Sequence, residues 1–286
     1  MNIYIQMNYI AGNNPSFFRD FIDQNIADKS LYQYNFLQNQ LESVLDGHEQ
    51  IYSDSLVNVN PDDGSKWIII VNTDRLVSVY GSNWDESQVD EILTAFDFTA
   101  KEHSLISGTS RLVLELLDKA KLKDCEIGKR RFFYRSSSIK KINYQVYNIE
   151  IPGFEKVSEL AKMLQLYYHE EYKGANDKSI EDMYMRINEL ILSNQIFVIK
   201  ETENGNIISF CSIKDSSPGI LFTKPQYRNR GYGQILLSYC SNLLLAEKEY
   251  IYLMTDADII ESNVLCEKIG FENFYEFISI DINHQE

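Results

Sequence analysis

Between Leu221 and Gln234 the chain passes from an apolar strand through a loop with two glycines into a helix. This junction limits what the chain can fold into. It reads Leu221-Phe222-Thr223-Lys224-Pro225-Gln226-Tyr227-Arg228-Asn229-Arg230-Gly231-Tyr232-Gly233-Gln234. The first amides of a helix lack intrahelical partners and carry the positive end of its dipole. Gly231 and Gly233 take away Cβ atoms that would hold a bulky anion off those amides, and Arg228 and Arg230 add positive charge. Together they read as a pyrophosphate cradle, set against the plainer reading of a tight turn with two solvated arginines. Two familiar phosphate loops are excluded. A dinucleotide fingerprint needs a small residue three places past Gly233, where Leu236 stands, and no Gly-Lys-Ser/Thr occurs.

What remains, Arg228-Asn229-Arg230-Gly231-Tyr232-Gly233, resembles the Arg/Gln-x-x-Gly-x-Gly/Ala signature of the GNAT superfamily of N-acetyltransferases. A second stretch, Ser262-Asn263-Val264-Leu265-Cys266-Glu267-Lys268-Ile269-Gly270-Phe271, is similar to that family's Asn-x-x-(Tyr)-Glu-Lys-x-Gly-Phe segment. The resemblance covers roughly the C-terminal half. It implies an α+β (mixed α/β) fold, with a central mixed, mostly antiparallel sheet flanked by helices. It implies acetyl-CoA or a related acyl-CoA as co-substrate and no metal. The pantetheine would pair with the backbone of Leu221, Phe222 and Thr223, and the pyrophosphate would sit on the amides of Asn229, Arg230, Gly231, Tyr232 and Gly233. Arg228 would serve the same loop, and Asn263 would contact the pantetheine arm.

The implied reaction is transfer of the acetyl group to a primary amine by direct attack in a ternary complex; a non-catalytic acyl-CoA-binding or regulatory module is the alternative. An amine must lose a proton before it attacks a thioester, and the departing thiolate needs one. A backbone N–H near Phe222 would stabilise the carbonyl oxygen as it gains charge. Where many members carry a tyrosine acid, this chain has Cys266, either a weak acid or a small apolar filler. For the base, Glu170 and Glu171 end the first helix of this half, and Asp256 follows its fifth strand. Cys266, Glu171 and Asp256 are the catalytic candidates. His169 reads as structural, and Tyr167, Tyr168 and Tyr184, at helical spacing, as core.

Composition narrows the setting. Acidic residues outnumber basic ones 42 to 27, for a net charge of −15, which disfavours nucleic acid and anionic membranes and favours cationic acceptors. The N-terminus, MNIYIQMNYI, lacks the layout of a secretory signal, and no apolar run approaches a membrane span. Cys125, Cys211, Cys240 and Cys266 stand too far apart for ligand spacing and read as free thiols. The expectation is a cytoplasmic monomer or homodimer acting on a small-molecule or peptide amine.

A boundary is placed at Arg135–Ser138, giving an α/β domain over 1–137 and the GNAT-like domain over 138–286. In the first, helical faces (Phe17, Phe18, Phe21, Ile22; Leu37, Leu41, Val44, Leu45) precede a hairpin of Trp67–Val71 and Leu76–Tyr80. Asp85 then caps a helix, a strand follows near Ser104–Ser107, and Ser110 opens another helix. Lys129-Arg130-Arg131 reads as a solvated strand edge. In the second, a strand through Ile142, Tyr144 and Val146 opens the domain and a hairpin over Phe274–Ile282 closes it. The order of elements in the first half echoes the second, but its counterpart of the glycine loop offers only Gly81. That pattern suggests a degenerate copy; the other reading is an unrelated α/β domain.

Overall fold

The computed structural model describes residues 10–11, 13–25, 32–100, 105–140, 142, 147–201 and 205–282. The chain divides into two compact units, residues 1–132 with 275–286, and residues 133–274. The sequence boundary at Arg135–Ser138 falls just inside the second unit, and Arg135 and Ser136 are strand rather than connector. The last twelve residues, which the sequence assigned to the second domain, group with the first.

The order of elements is drawn twice. The first run is β1 (Ile10–Ala11), α1 (Pro15–Asn25), α2 (Asn35–Leu45), β2 (Leu56–Val59), β3 (Trp67–Asn72), β4 (Val77–Ser82), α3 (Glu86–Ala95), β5 (Leu105–Thr109), α4 (Ser110–Lys119) and β6 (Cys125–Ser136). The second is β7 (Ile149–Glu150), α5 (Val157–Glu171), α6 (Ile180–Leu192), β8 (Ile196–Lys200), β9 (Ile207–Lys214), β10 (Ser217–Thr223), α7 (Tyr232–Leu245), β11 (Ile251–Asp256), α8 (Ile260–Ile269) and β12 (Glu272–Ile282). This is the order of a repeat, as the degenerate-copy reading requires.

In the first unit the sheet runs β1-β2-β3-β4-β5-β12. Its first three pairings are antiparallel, β4 and β5 are parallel, and β12 lies antiparallel to β5. The all-apolar run Trp67–Val71 is buried along its whole length, as a strand covered on both faces must be. Asp85 starts α3 with a capping box: its carboxylate accepts the Gln88 N–H, and the Gln88 side chain accepts the Asp85 N–H. Leu112, Val113, Leu116 and Leu117 recur on one face of α4 and are buried against Val77, Val79 and Ile106. Each such side chain contributes roughly 1.5–3 kcal/mol by leaving water.

In the second unit the sheet runs β7-β8-β9-β10, all antiparallel. The expected faces of α5 and α6 hold: Val157, Leu160 and Leu164 are buried with Met183, Ile187, Leu190 and Ile191 against Val198, Phe210 and Phe222. Ser179 caps α6, its hydroxyl accepting the Asp182 N–H. Two sequence readings change. Residues 143–146 of the strand expected through Ile142, Tyr144 and Val146 lie outside the described residues, and Ile142 itself is in no regular element. The expected hairpin over Phe274–Ile282 is instead one continuous strand, β12, because no turn residue interrupts its run of aromatic and β-branched residues. His284 and residues 1–9 lie outside the described residues. No described helix is long and apolar enough to cross a membrane.

Candidate active site

The junction at Leu221–Gln234 sits at an unpaired sheet edge. Among the described residues β10 pairs only with β9. The Tyr252 N–H at the start of β11 donates to the Ser216 carbonyl at 2.9 Å, but β11 does not follow β10 further as a sheet neighbour. Strand alternation sets which backbone groups face the gap. The Lys224 N–H donates to the Ile208 carbonyl at 3.0 Å, and Phe222 stands opposite Phe210 in the same register, so both turn toward β9. Leu221 and Thr223 turn theirs the other way. The N–H aimed at the open edge in mid-strand is therefore that of Leu221, not Phe222, whose ring is buried in the core. The expectation that Phe222 offers its backbone is corrected accordingly.

The loop beyond β10 delivers the chain to the start of α7 with no side chain capping it. Asn229 (φ 60°) and Gly231 (φ 84°) are left-handed, and Gly231 is the α7 N-cap without any side-chain cap bond. A Cβ at Gly231 would meet no atom within 4 Å, so nothing crowds the chain on that side of the helix start. Gly233 does something different. Its missing Cβ faces β10, where it would lie 3.4 Å from Thr223 Oγ1 and 3.6 Å from Leu221 Cδ2. Gly231 faces open space, whereas Gly233 faces the strand at ordinary contact distance.

The basic residues divide likewise. Arg228 donates from Nε to the Thr223 carbonyl at 2.9 Å and from Nη2 to both carboxylate oxygens of Glu170 at 2.7 and 3.0 Å, and its guanidinium carbon lies 5.3 Å from the Phe222 ring centre. It ties the loop to β10 and α5. Glu170 is thereby an ion-pair partner rather than a base. Lys224 is paired with Glu159 at 2.7 Å; burial works to raise the Glu159 carboxyl, but Lys224, the Ile207 N–H and Lys156 hold it below its ordinary value. Arg230 stacks on Tyr227, 5.8 Å from its ring centre, and has no acidic partner among the described residues. The Tyr227 hydroxyl donates to Glu201, a bond that pushes its pKa up. Tyr232 meets Tyr147 and Tyr227 edge-on.

The other candidates fall as follows. The Asn263 side chain is buried, donating to the Asp256 and Ala257 carbonyls at 3.2 and 3.0 Å and accepting from Thr255. It clamps the turn after β11 and has no donor left over. Cys266 is 2 % exposed, and burial, followed by the Glu267 charge, pushes its thiol up to about 12. A thiol so raised is a poor proton donor to a departing thiolate. Replacing it, Cys266→Ala, is expected to keep turnover within about threefold, a steady-state test that a tenfold fall would contradict. Asp256 ends β11 on the far side of the gap, buried, with Oδ1 accepting the Asp258 N–H at 2.9 Å. Glu171 ends α5, half-buried. His169 pairs with Asp177 at 3.0 Å on the surface, and Tyr184 donates to Ser158 at 2.9 Å. Tyr167 and Tyr168 pack on the core of this unit. Among the described residues no group of His, Cys, Asp or Glu could hold a metal ion.

The first unit shows the same elements closed. Val77, Ser78 and Val79 of β4 pair in parallel with Ile106, Ser107 and Gly108 of β5. A Cβ at Gly108 would fall 1.7 Å from the Val79 carbonyl oxygen, so the strands approach as only glycine allows. At the start of α3 the Asp85 carboxylate stands where an anion would go. Sequence reading singled out the missing glycines here; the zipped strands are a second barrier that it missed.

The model of the acetyltransferase (GNAT) domain matches residues 193–273. A search of the curated proteins finds no match. Among solved structures, a GNAT-family acetyltransferase from Colwellia psychrerythraea matches at TM-score 0.56 and 9% identity, over 97% of this chain and 100% of that one. A GCN5-related N-acetyltransferase from Sphaerobacter thermophilus matches at TM-score 0.51 and 14% identity, over 98% and 97%. A Drosophila protein matches at TM-score 0.53 and 14% identity, over 96% and 98%. The fold of the chain is thus that of GNAT acetyltransferases, and residues 193–273, all within the second unit, carry the sequence pattern of the acetyltransferase (GNAT) domain.

Proposed function

We propose that the second unit transfers an acetyl group from acetyl-CoA to a primary amine by direct attack. The observation that carries this is the unpaired β10 edge running into an uncapped helix start. A pantetheine carries amides that suit the Leu221 backbone and the Thr223 N–H, in the manner of an added strand, the Thr223 carbonyl being held by Arg228. A diphosphate suits the uncapped amides at the start of α7. The Leu221 N–H is the donor for the carbonyl oxygen as it gains charge, a role worth about 10²–10³ in rate for one such donor.

An incoming ammonium must give up a proton. Of the three carboxylates nominated by the sequence, Asp256 bounds the gap, and we assign it that role. Cys266 is set aside as acid, leaving water to protonate the thiolate. The acidic balance of the chain fits a cationic acceptor, a small amine or a lysine-bearing peptide, rather than a polyanion.

The test is steady-state release of free CoA from acetyl-CoA across a panel of amines. Amine-dependent release is expected, with Asp256→Asn lowering kcat on the order of 10²-fold while keeping the Asp258 cap through its amide oxygen. Binding of acetyl-CoA with no release for any amine would replace this reading by that of a binding module, which the raised, buried Cys266 thiol would suit.

A further inference from the structure

We infer that Ser212 of β9 is a positioning residue for the donor site: its hydroxyl holds the bulge in β10 that turns this strand away from β11. The inference rests on the proposed donor site and names a residue that builds it. The register of β10 against β9 breaks once. Pro218 stands opposite Ile213 and Leu221 opposite Cys211, so Gly219 and Ile220 together face Ser212. Such an insertion bends the strand and leaves a ladder group without its usual partner. Here the Ile220 N–H donates to Ser212 Oγ at 2.9 Å, in place of a main-chain carbonyl. Ser212 is buried, so its hydroxyl is held in place beneath a half-buried Ile220. A Cβ at Gly219 would lie 2.7 Å from the same hydroxyl oxygen, so glycine makes the room that the hydroxyl fills.

The bulge falls where the two strands part. Tyr252 and Ser216 are bonded one residue before β10 begins, and beyond the bulge Leu221 presents its backbone to an empty edge. The first unit supplies the contrast within the same molecule. There β3 and β4 pair from Trp67↔Ser82 to Asn72↔Val77 without a break, and β4 is zipped to β5. Where the ladder is unbroken the neighbouring strand closes on it; where Ser212 holds a bulge, the edge is open.

The test uses the full chain, with Ser212→Ala and Ser212→Thr, and two ligands. Acetyl-CoA reaches the bulge through its pantetheine, whereas 3′-phosphoadenosine 5′-diphosphate engages only the helix start. Calorimetric titration is expected to show Ser212→Ala binding acetyl-CoA about tenfold more weakly, with the nucleotide unchanged within about twofold and Ser212→Thr near wild type. A merely structural loss would weaken both ligands alike. Equal weakening of both, no weakening, or a Thr variant as poor as Ala would overturn the inference. Hydrogen exchange judges the bulge without any ligand: the Ile220 amide should exchange faster in Ser212→Ala and not in Ser212→Thr. Failure of the wild-type chain to bind acetyl-CoA would sink the donor reading, while unchanged Ile220 exchange would sink the role of Ser212.

Discussion

Gly233→Asp is expected to lower the affinity for acetyl-CoA by at least about a hundredfold, roughly 3 kcal/mol, while leaving the melting temperature nearly unchanged. Two effects add. The new Cβ starts in ordinary contact, 3.4 Å from Thr223 Oγ1 and 3.6 Å from Leu221 Cδ2, and the carboxyl group beyond it takes up space beside the β10 edge that would receive the pantetheine. Its carboxylate also stands in the first turn of α7, a few ångströms from where a diphosphate would be held. Like charges at such separations cost on the order of 2–4 kcal/mol near a protein surface. An acid in the first turn favours the helix itself through the dipole, so a general loss of stability is not expected to accompany the loss of binding. Gly231→Ala is the milder companion. Its φ of 84° strains any side chain by about 1–2 kcal/mol, but the space around it is open. Titration calorimetry on wild type and both variants reads these effects directly. It also reads the stoichiometry, expected at a single acetyl-CoA per chain, since the first unit is shut by its β4–β5 ladder and by Asp85. Wild-type affinity in Gly233→Asp would remove the helix start from the donor site.

The parts of this site that were legible in the sequence are those written within a few residues. The strand, glycine loop and helix over Ser217–Leu245 follow from local pattern, as does the Asp85 cap, because a capping box needs only a three-residue spacing. What the sequence could not carry depends on partners brought from afar. Arg228 looks like a phosphate ligand until Glu170, 58 positions away, takes its outer nitrogen. Asn263 looks like a contact for the pantetheine until the turn after β11 uses up its amide. The β10 bulge needs the register of two strands, which no composition shows, and so Ser212 passed unnoticed. Strand β2 was missed because four residues with a buried Asn58 make a weak period-two signal; Gln88 and Glu91 satisfy that amide from α3. Cys266 is a clearer case, since its neighbours in sequence say nothing of its depth, and depth is what raises the thiol.

Ile278→Asp is expected to unfold the first unit, although residue 278 lies 146 positions beyond residue 132, where that unit's main stretch ends. Strand β12 is the source of this effect. Phe277↔Thr109 through Asp281↔Leu105 make it the antiparallel neighbour of β5, so residues next to the second unit in sequence complete the sheet of the first. Ile278, Ile280 and Ile282 are buried in one cluster with Val79, Phe96, Ile106 and Leu116. Ile278 is 1 % exposed, and its Cα partner is Gly108, the residue whose close approach seals β5 to β4. An aspartate there loses roughly 2–5 kcal/mol of packing and adds several more for a buried, unpaired charge. That sum approaches the 5–15 kcal/mol that holds a domain of this size together. Hydrogen exchange resolved by segment is the suitable measurement. Protection should be lost across β3, β4 and β5, while amides of β8 and β9, which belong to the core built on Val198, Ile207 and Phe210, keep theirs. Asp281→Asn on the same strand is the control, because Asp281 is exposed and its change should leave the pattern intact. Full protection of Ile106 and Gly108 in Ile278→Asp would mean that β12 is dispensable to the first unit.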